Sequence, residues 1–139
     1  MKKVIICGSI AAADKIIVAQ KELEERGFEV EIPWGVQRYI ENDFKHTAEE
    51  KRNEWKKNND LISRYYELIK EHDAVLVVNV EKCGTPNYIG GNTFLEMGFA
   101  HVLDKPLYVL NPLPDLPYLS EMQAMNHTVL NGDFSKIEK

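Results

Sequence analysis

Ala74-Val75-Leu76-Val77-Val78 is an uninterrupted apolar run set between His72-Asp73 and Asn79, with β-branched residues at 75, 77 and 78. It does not alternate, so neither face of the segment is suited to water. A short wholly apolar run of this kind reads as the central strand of a parallel sheet, where helices on both faces bury every side chain. It is far shorter than the ~20 residues that span a bilayer.

The segments on either side supply the rest of such a sheet. Val4-Ile5-Ile6-Cys7 is a second buried strand, ended by Gly8-Ser9. From Ala11 to Arg26, Ile16, Ile17, Ala19 and Leu23 recur at helical spacing, and Gly27 stops the helix. Phe28 to Ile32 alternates apolar and acidic residues before Pro33, which predicts an edge strand with Glu29 and Glu31 facing water. Pro33 to Thr47 has no clean period and reads as a capping loop made sticky by Trp34, Tyr39, Ile40 and Phe44.

Residues 48–72 read as helix, with Trp55, Leu61, Ile62, Tyr65, Leu68 and Ile69 as its apolar stripe and a kink or break at Asn58-Asn59-Asp60. Beyond the central strand come a glycine-rich loop to Gly91, a helix over 93–103, a strand over 107–110 and a proline-stiffened loop from Asn111. A short helix over 119–125, a strand over 128–130 and a polar tail complete the chain. Alternating strands and helices predict an α/β fold: a doubly wound, flavodoxin-like, five-stranded parallel sheet of order 2-1-3-4-5. Such sheets bind ligands beyond the carboxyl ends of strands 1 and 3, where the winding reverses. The loops Gly8-Ser9-Ile10 and Asn79 to Asn92 therefore carry the functional weight.

The 139 residues are expected to form a single domain, 1–139. Hydrophobic residues at 44% and charged residues at 28% match an ordinary globular chain. A net charge of −5 argues against a polymeric nucleic acid as partner, though not against a small anion held by backbone groups. No run is long enough for a membrane partner, and Val4–Cys7 is too short for a signal-peptide core, so a cytoplasmic setting is expected. Cys7 and Cys83 lack metal-type spacing and are expected to stay reduced. Histidines 46, 72, 101 and 127 are scattered, so no metal site is expected. Nothing calls for a cofactor; flavin in particular lacks its phosphate loop.

Two stretches are candidates for chemistry, and each has a plain alternative. Gly8-Ser9, with Ile10, lies at a strand-to-helix junction, where unpaired N–H groups favour an anion. Ser9 is equally suited to capping the next helix. In Gly90-Gly91-Asn92-Thr93-Phe94-Leu95-Glu96-Met97-Gly98, Thr93 and Glu96 have the spacing of a capping box. Yet Glu96 is the only charged residue before Leu103 in a helix that is apolar nearly all round, a setting that suits a nucleophile or base at the mouth of a site. Spacing alone leaves both readings open. Asp73 reads as a residue that satisfies backbone donors at the sheet end, His101 as a packing residue, and Trp34, Tyr39 and Phe44 as core or interface aromatics, one of which could stack a nucleobase.

Three segments together resemble the nucleoside 2-deoxyribosyltransferase superfamily, which includes the deoxynucleoside 5′-monophosphate N-glycosidases. They are Cys7-Gly8-Ser9-Ile10; the run from His72 to Asn79 with the glycine loop, Glu96-Met97-Gly98-Phe99-Ala100 and Lys105-Pro106; and Leu119-Ser120-Glu121-Met122. The resemblance implies a doubly wound fold, Glu96 as a glutamate nucleophile, and an active site shared between subunits of a homodimer or higher homo-oligomer. It implies that Gly8 and Ser9, with Ser120 lent by a neighbouring subunit, contact a 5′-phosphate. Substrate-binding candidates are thus Gly8, Ser9, Ile10, Asn79, Gly91, Asn92 and Ser120. The ligand implied is a small nucleoside or nucleotide. Where the family carries a helper aspartate, eight residues before Asp73, this chain has Tyr65, and Asp60 is the substitute that the reading offers. The rival is a non-catalytic nucleotide-binding or sensing module on the same fold.

Overall fold

The structure is a computed structural model that describes residues 2–40 and 60–139. Five strands, β1 (Lys3–Cys7), β2 (Glu29–Glu31), β3 (Ala74–Val77), β4 (Leu107–Val109) and β5 (Thr128–Val129), form one sheet of order β2-β1-β3-β4-β5. Every pairing in it is parallel. β1 and β3 lie side by side at its centre, Val4 opposite Ala74 and Cys7 opposite Val77. This is the predicted sheet.

The side-chain alternation of the strands divides the core into two layers. Val4, Ile6, Ala74, Leu76 and Tyr108 point to one face, where Ile16, Ala19 and Leu23 of α1 (Ala13–Glu25) cover them. Ile5, Cys7, Val75, Val77, Leu107 and Val109 point to the other. There they meet Tyr65 and Ile69 of α3 (Leu61–Glu71), Met97 and Ala100 of α4 (Gly91–Val102), and Met122 of α5 (Leu119–Ala124). Gly27, at φ +92°, ends α1 as read from the sequence. Glu29 and Glu31 are exposed at the sheet edge.

Four details differ from the sequence reading. Trp34–Ile40 is a helix, α2, rather than loop. It starts where the Pro33 carbonyl accepts from the N–H groups of Val36 and Gln37, and it buries Val36 completely against the α1 layer. Proline suits a helix start because its missing N–H has no partner there anyway.

The second concerns α4, which begins at Gly91 with Gly90 as its N-cap, so Thr93 is a buried residue inside the helix and caps nothing. Glu96 consequently falls in the second turn, and the capping box is not formed. Third, the polar tail is anchored: Phe134 and Ile137 pack into the α1 layer. Fourth, His101 is exposed on the side of α4 that meets Asn126, whose N–H it accepts at 3.2 Å.

The break expected near residue 60 is real. Asp60, at φ 46°, is the N-cap of α3. The expected helix upstream of it, with Trp55, and also Phe44 and the Tyr39 side chain, lie outside the described residues. Among the described residues no helix is long and apolar enough to cross a membrane.

Candidate active site

A cleft of about 670 Å³ opens beyond the carboxyl ends of β1 and β3. That volume lies within the ~300–1,000 Å³ typical of small-molecule sites. Its floor is Gly8, Ser9 and Ile10 after β1. One wall is the end of β2 with the start of α2, from Glu31 to Val36. Facing it is α3, through Asp60, Leu61, Ile62, Arg64, Tyr65 and Leu68. The loop after β3 and the first two turns of α4 close the remaining side with Lys82, Tyr88, Gly90 to Thr93, Leu95 and Glu96, and Phe99.

The floor is shaped by the absence of a side chain. A Cβ on Gly8 would come within 3.0 Å of Ile16 Cδ1 and 3.1 Å of the Val78 carbonyl. A side chain here would need Ile16 and the Val78 carbonyl to give way by a few tenths of an ångström. Ser9 opens the short 3₁₀ turn Ile10–Ala12 from extended backbone and makes no capping bond with its side chain. Of its two sequence readings, the capping one has no bond behind it.

The loop after β3 is braced from below. Asn79 is completely buried, and its amide is engaged on every side: Nδ2 donates to the carbonyls of Asn111 (3.0 Å), Pro112 (3.1 Å) and Asn87 (3.3 Å), while Oδ1 accepts from the Asn111 N–H (2.9 Å). Asn111 returns the bond, donating its own Nδ2 to the Asn79 carbonyl at 2.8 Å. A buried amide with both ends satisfied is a structural clamp. Asn79 therefore ties the ends of β3 and β4 together rather than presenting a group to the cleft. Above it, the Tyr118 hydroxyl donates to the Ile89 carbonyl, and Lys82 lies 5.3 Å from the centre of the Tyr88 ring.

Glu96 is half-buried in the second turn of α4 and faces this cleft. Its carboxylate lies near enough to Cys7, the last residue of β1, for its charge to bear on the thiol. Beside them stands Tyr65 of α3, buried, its hydroxyl donating to the Ile6 carbonyl at 2.7 Å. Burial above all, then the negative charge of Glu96, push the Cys7 thiol well above its usual range. Burial is also the first cause that lifts Tyr65, and the negative charge of Glu96 adds to it. Both groups thus stay protonated, and both are donors rather than bases.

Of the sequence candidates, Gly8, Ser9, Ile10, Asp60, Gly91, Asn92 and Glu96 come together around the cleft. Asp60 does so while its carboxylate accepts the Ser63 N–H at 3.3 Å as the cap of α3. Ser120 stands apart, exposed on α5, donating to the Glu121 carboxylate at 2.9 Å. Trp34 reaches the cleft wall. Cys7, Arg64 and Lys82 were not singled out by the sequence as site residues. For Cys7 a signal existed: it shares strand parity with Ile5, and that face lies under α4.

No protein-family model matches the chain, and no curated protein matches it in sequence. Solved structures do. The 2-deoxyribosyltransferase of the psychrotolerant bacterium Bacillus psychrosaccharolyticus superposes with a TM-score of 0.62 at 17% identity, over 98% of this chain and 92% of that one. The CMP N-glycosidase of Clostridium botulinum does so with a TM-score of 0.51, also at 17% identity, over 94% and 90%. The chain shares their fold. At such low identity the likeness concerns architecture, and the roles of individual residues rest on the chemistry of the cleft.

Proposed function

We propose that this chain belongs to the nucleoside 2-deoxyribosyltransferase superfamily and cleaves or transfers the N-glycosidic bond of a (deoxy)nucleoside or its 5′-monophosphate. The observation that carries the reading is Glu96: a carboxylate on the cleft wall, in a helix whose N-cap is Gly90, with no capping duty to explain it. The likeness in fold to a deoxyribosyltransferase and a CMP N-glycosidase supports the substrate class.

In this reading a Glu96 oxygen bonds to C1′ of the sugar as the C1′–N bond breaks. The bonding pair leaves on the base nitrogen, which takes up a proton from an acid or from water. Water, or the nitrogen of a second base, then attacks C1′ and frees the glutamate. Gly8, Ser9, Ile10, Gly91 and Asn92 hold sugar and phosphate. Asp60 is the candidate acid closest to the family's pattern, and it would have to leave its cap on Ser63 to serve. Ser120 enters only from a neighbouring subunit, so the reading carries with it a homodimer or larger assembly.

One observation favours the non-catalytic alternative. Tyr65 occupies the helper's place, and its hydroxyl is committed to the Ile6 carbonyl. The two readings separate in one experiment. The protein is incubated with a panel of nucleosides and 5′-monophosphates, and free base is measured by chromatography. Base release by the wild type that Glu96→Gln abolishes supports the enzyme. Binding of a monophosphate without release from any member of the panel overturns it in favour of the binder.

A further inference from the structure

We propose that Thr93 and the start of α4 seat a phosphate group, with Arg64 and Lys82 as the cations that balance its charge, so that the substrate is a nucleoside 5′-monophosphate and not the free nucleoside. The inference rests on the reading of Glu96 as the group that attacks the sugar, and it names the substrate class which that reading leaves open.

Thr93 is the observation that carries it. It lines the cleft, it is 5% exposed, and among the described residues its hydroxyl makes no hydrogen bond. A helical threonine can settle its hydroxyl on a carbonyl one turn back, and Thr93 does not. A buried polar group without a partner is costly, and a ligand that supplies the partner recovers the cost. The N–H groups of Gly91, Asn92 and Thr93 also lack acceptors among the described residues, because the first bond at this helix end runs from the Phe94 N–H to the Gly90 carbonyl. Gly90 offers no side chain to cap them, the first turn holds no acidic residue, and a Cβ on Gly91 would meet nothing within 4 Å. Three N–H donors and a hydroxyl at the positive end of a 12-residue helix suit a group with several anionic oxygens.

The cations of the cleft are left for such a group. Asp60 precedes Arg64 by one helical turn, but its carboxylate accepts the Ser63 N–H at 3.3 Å. Glu81 adjoins Lys82, but its carboxylate accepts the Gly84 N–H at 2.6 Å. Neither Arg64 nor Lys82 forms an ion pair among the described residues. A neutral nucleoside makes no use of two positive charges, whereas a phosphomonoester pairs with both. The spacing fits as well. Asn92 precedes Glu96 by four residues, about 6 Å along the helix axis, so the seat and the attacking carboxylate bracket a single pentose.

Calorimetric titration with a panel of ribo- and deoxynucleoside 5′-monophosphates and their matched nucleosides tests the proposal. The preferred monophosphate should bind at least about tenfold tighter than its nucleoside. Thr93→Val keeps the shape and removes the hydroxyl; it should weaken monophosphate binding about tenfold and leave nucleoside binding within about twofold. The double variant Arg64→Gln/Lys82→Gln, changed at the cleft rim and not in the core, should weaken it about fivefold and flatten its dependence on salt. Equal affinity for nucleoside and monophosphate overturns the proposal, as does a panel in which no monophosphate binds. Unchanged monophosphate affinity in Thr93→Val does the same. Should Thr93→Val fail to fold, unchanged affinity in the double variant overturns the proposal in its place. Base release from nucleosides and monophosphates at equal kcat/KM upholds the glycosidase reading and removes the phosphate seat. Selective monophosphate binding that these variants weaken, with no base released, overturns the glycosidase reading and leaves the seat standing.

Discussion

Both ends of β1 meet a carboxylate, and the two are used differently. At the start of the strand, Asp73 accepts the Lys3 N–H at 2.8 Å from an exposed position. That bond, with the nearby charges of Lys105 and Lys2, lowers the Asp73 carboxyl below its usual range. At the far end, Glu96 lies half-buried near Cys7 and faces a cleft of about 670 Å³. A carboxylate spent on a backbone donor braces a sheet; one that faces a cleft is placed to meet a ligand. The difference lies in the partner and the surroundings, not in the acid itself.

The comparison makes opposite demands on the two ends. The largest effect is expected from Glu96→Gln, which keeps the shape and removes the proposed nucleophile. Turnover should fall by about 10³-fold or more while monophosphate affinity and melting temperature change little. If turnover survives, Glu96 is no more reactive than Asp73 and the contrast disappears.

Tyr65→Phe comes next. It leaves the Ile6 carbonyl buried without its donor, which should cost about 1–2 kcal/mol in urea unfolding. A loss close to zero would mean that the cleft end of β1 needs no brace from α3.

The smallest effect belongs to Asp73→Asn, and its signature is in pH. A carboxyl lowered by folding stabilises the native state above its unfolded value of ~4. That stabilisation disappears as pH falls through the lower folded value. The variant should therefore lose stability near neutrality, converge with the wild type in acid, and retain full base release. Reduced turnover in Asp73→Asn would show that the two ends are coupled through the strand.

Much of this architecture was legible beforehand, for a local reason. Wholly apolar runs such as 74–78 and 4–7 have few places to go other than the middle of a parallel sheet, and Gly27 marks a helix end by its need for positive φ. The site was legible in part. The glycine loops and Glu96, which line one cleft, stand out in the sequence because their residue types are unusual where they stand.

Other features depend on partners distant in sequence. The pattern Thr93-x-x-Glu96 looks like a capping box on paper, but the helix starts two residues earlier, at Gly91, where Tyr88 packs within 3.1 Å of the place a Gly90 Cβ would occupy. Asn79 looked like a ligand-binding residue because it follows the central strand; Asn111, a strand away, takes up its amide. The segment 34–40 has too few turns to display a period, so its helix shows only when Val36 finds the α1 layer.

By itself, then, the sequence determined the strands and their parallel stacking, because hydrophobic pattern and backbone chemistry act over a few residues, and it singled out Glu96 as the carboxylate to test. The tertiary structure alone decided which polar groups are already satisfied. It brought Tyr65 against the Ile6 carbonyl and Asn111 onto Asn79, since a hydrogen bond depends on position in space and residues on different strands and helices share no local pattern.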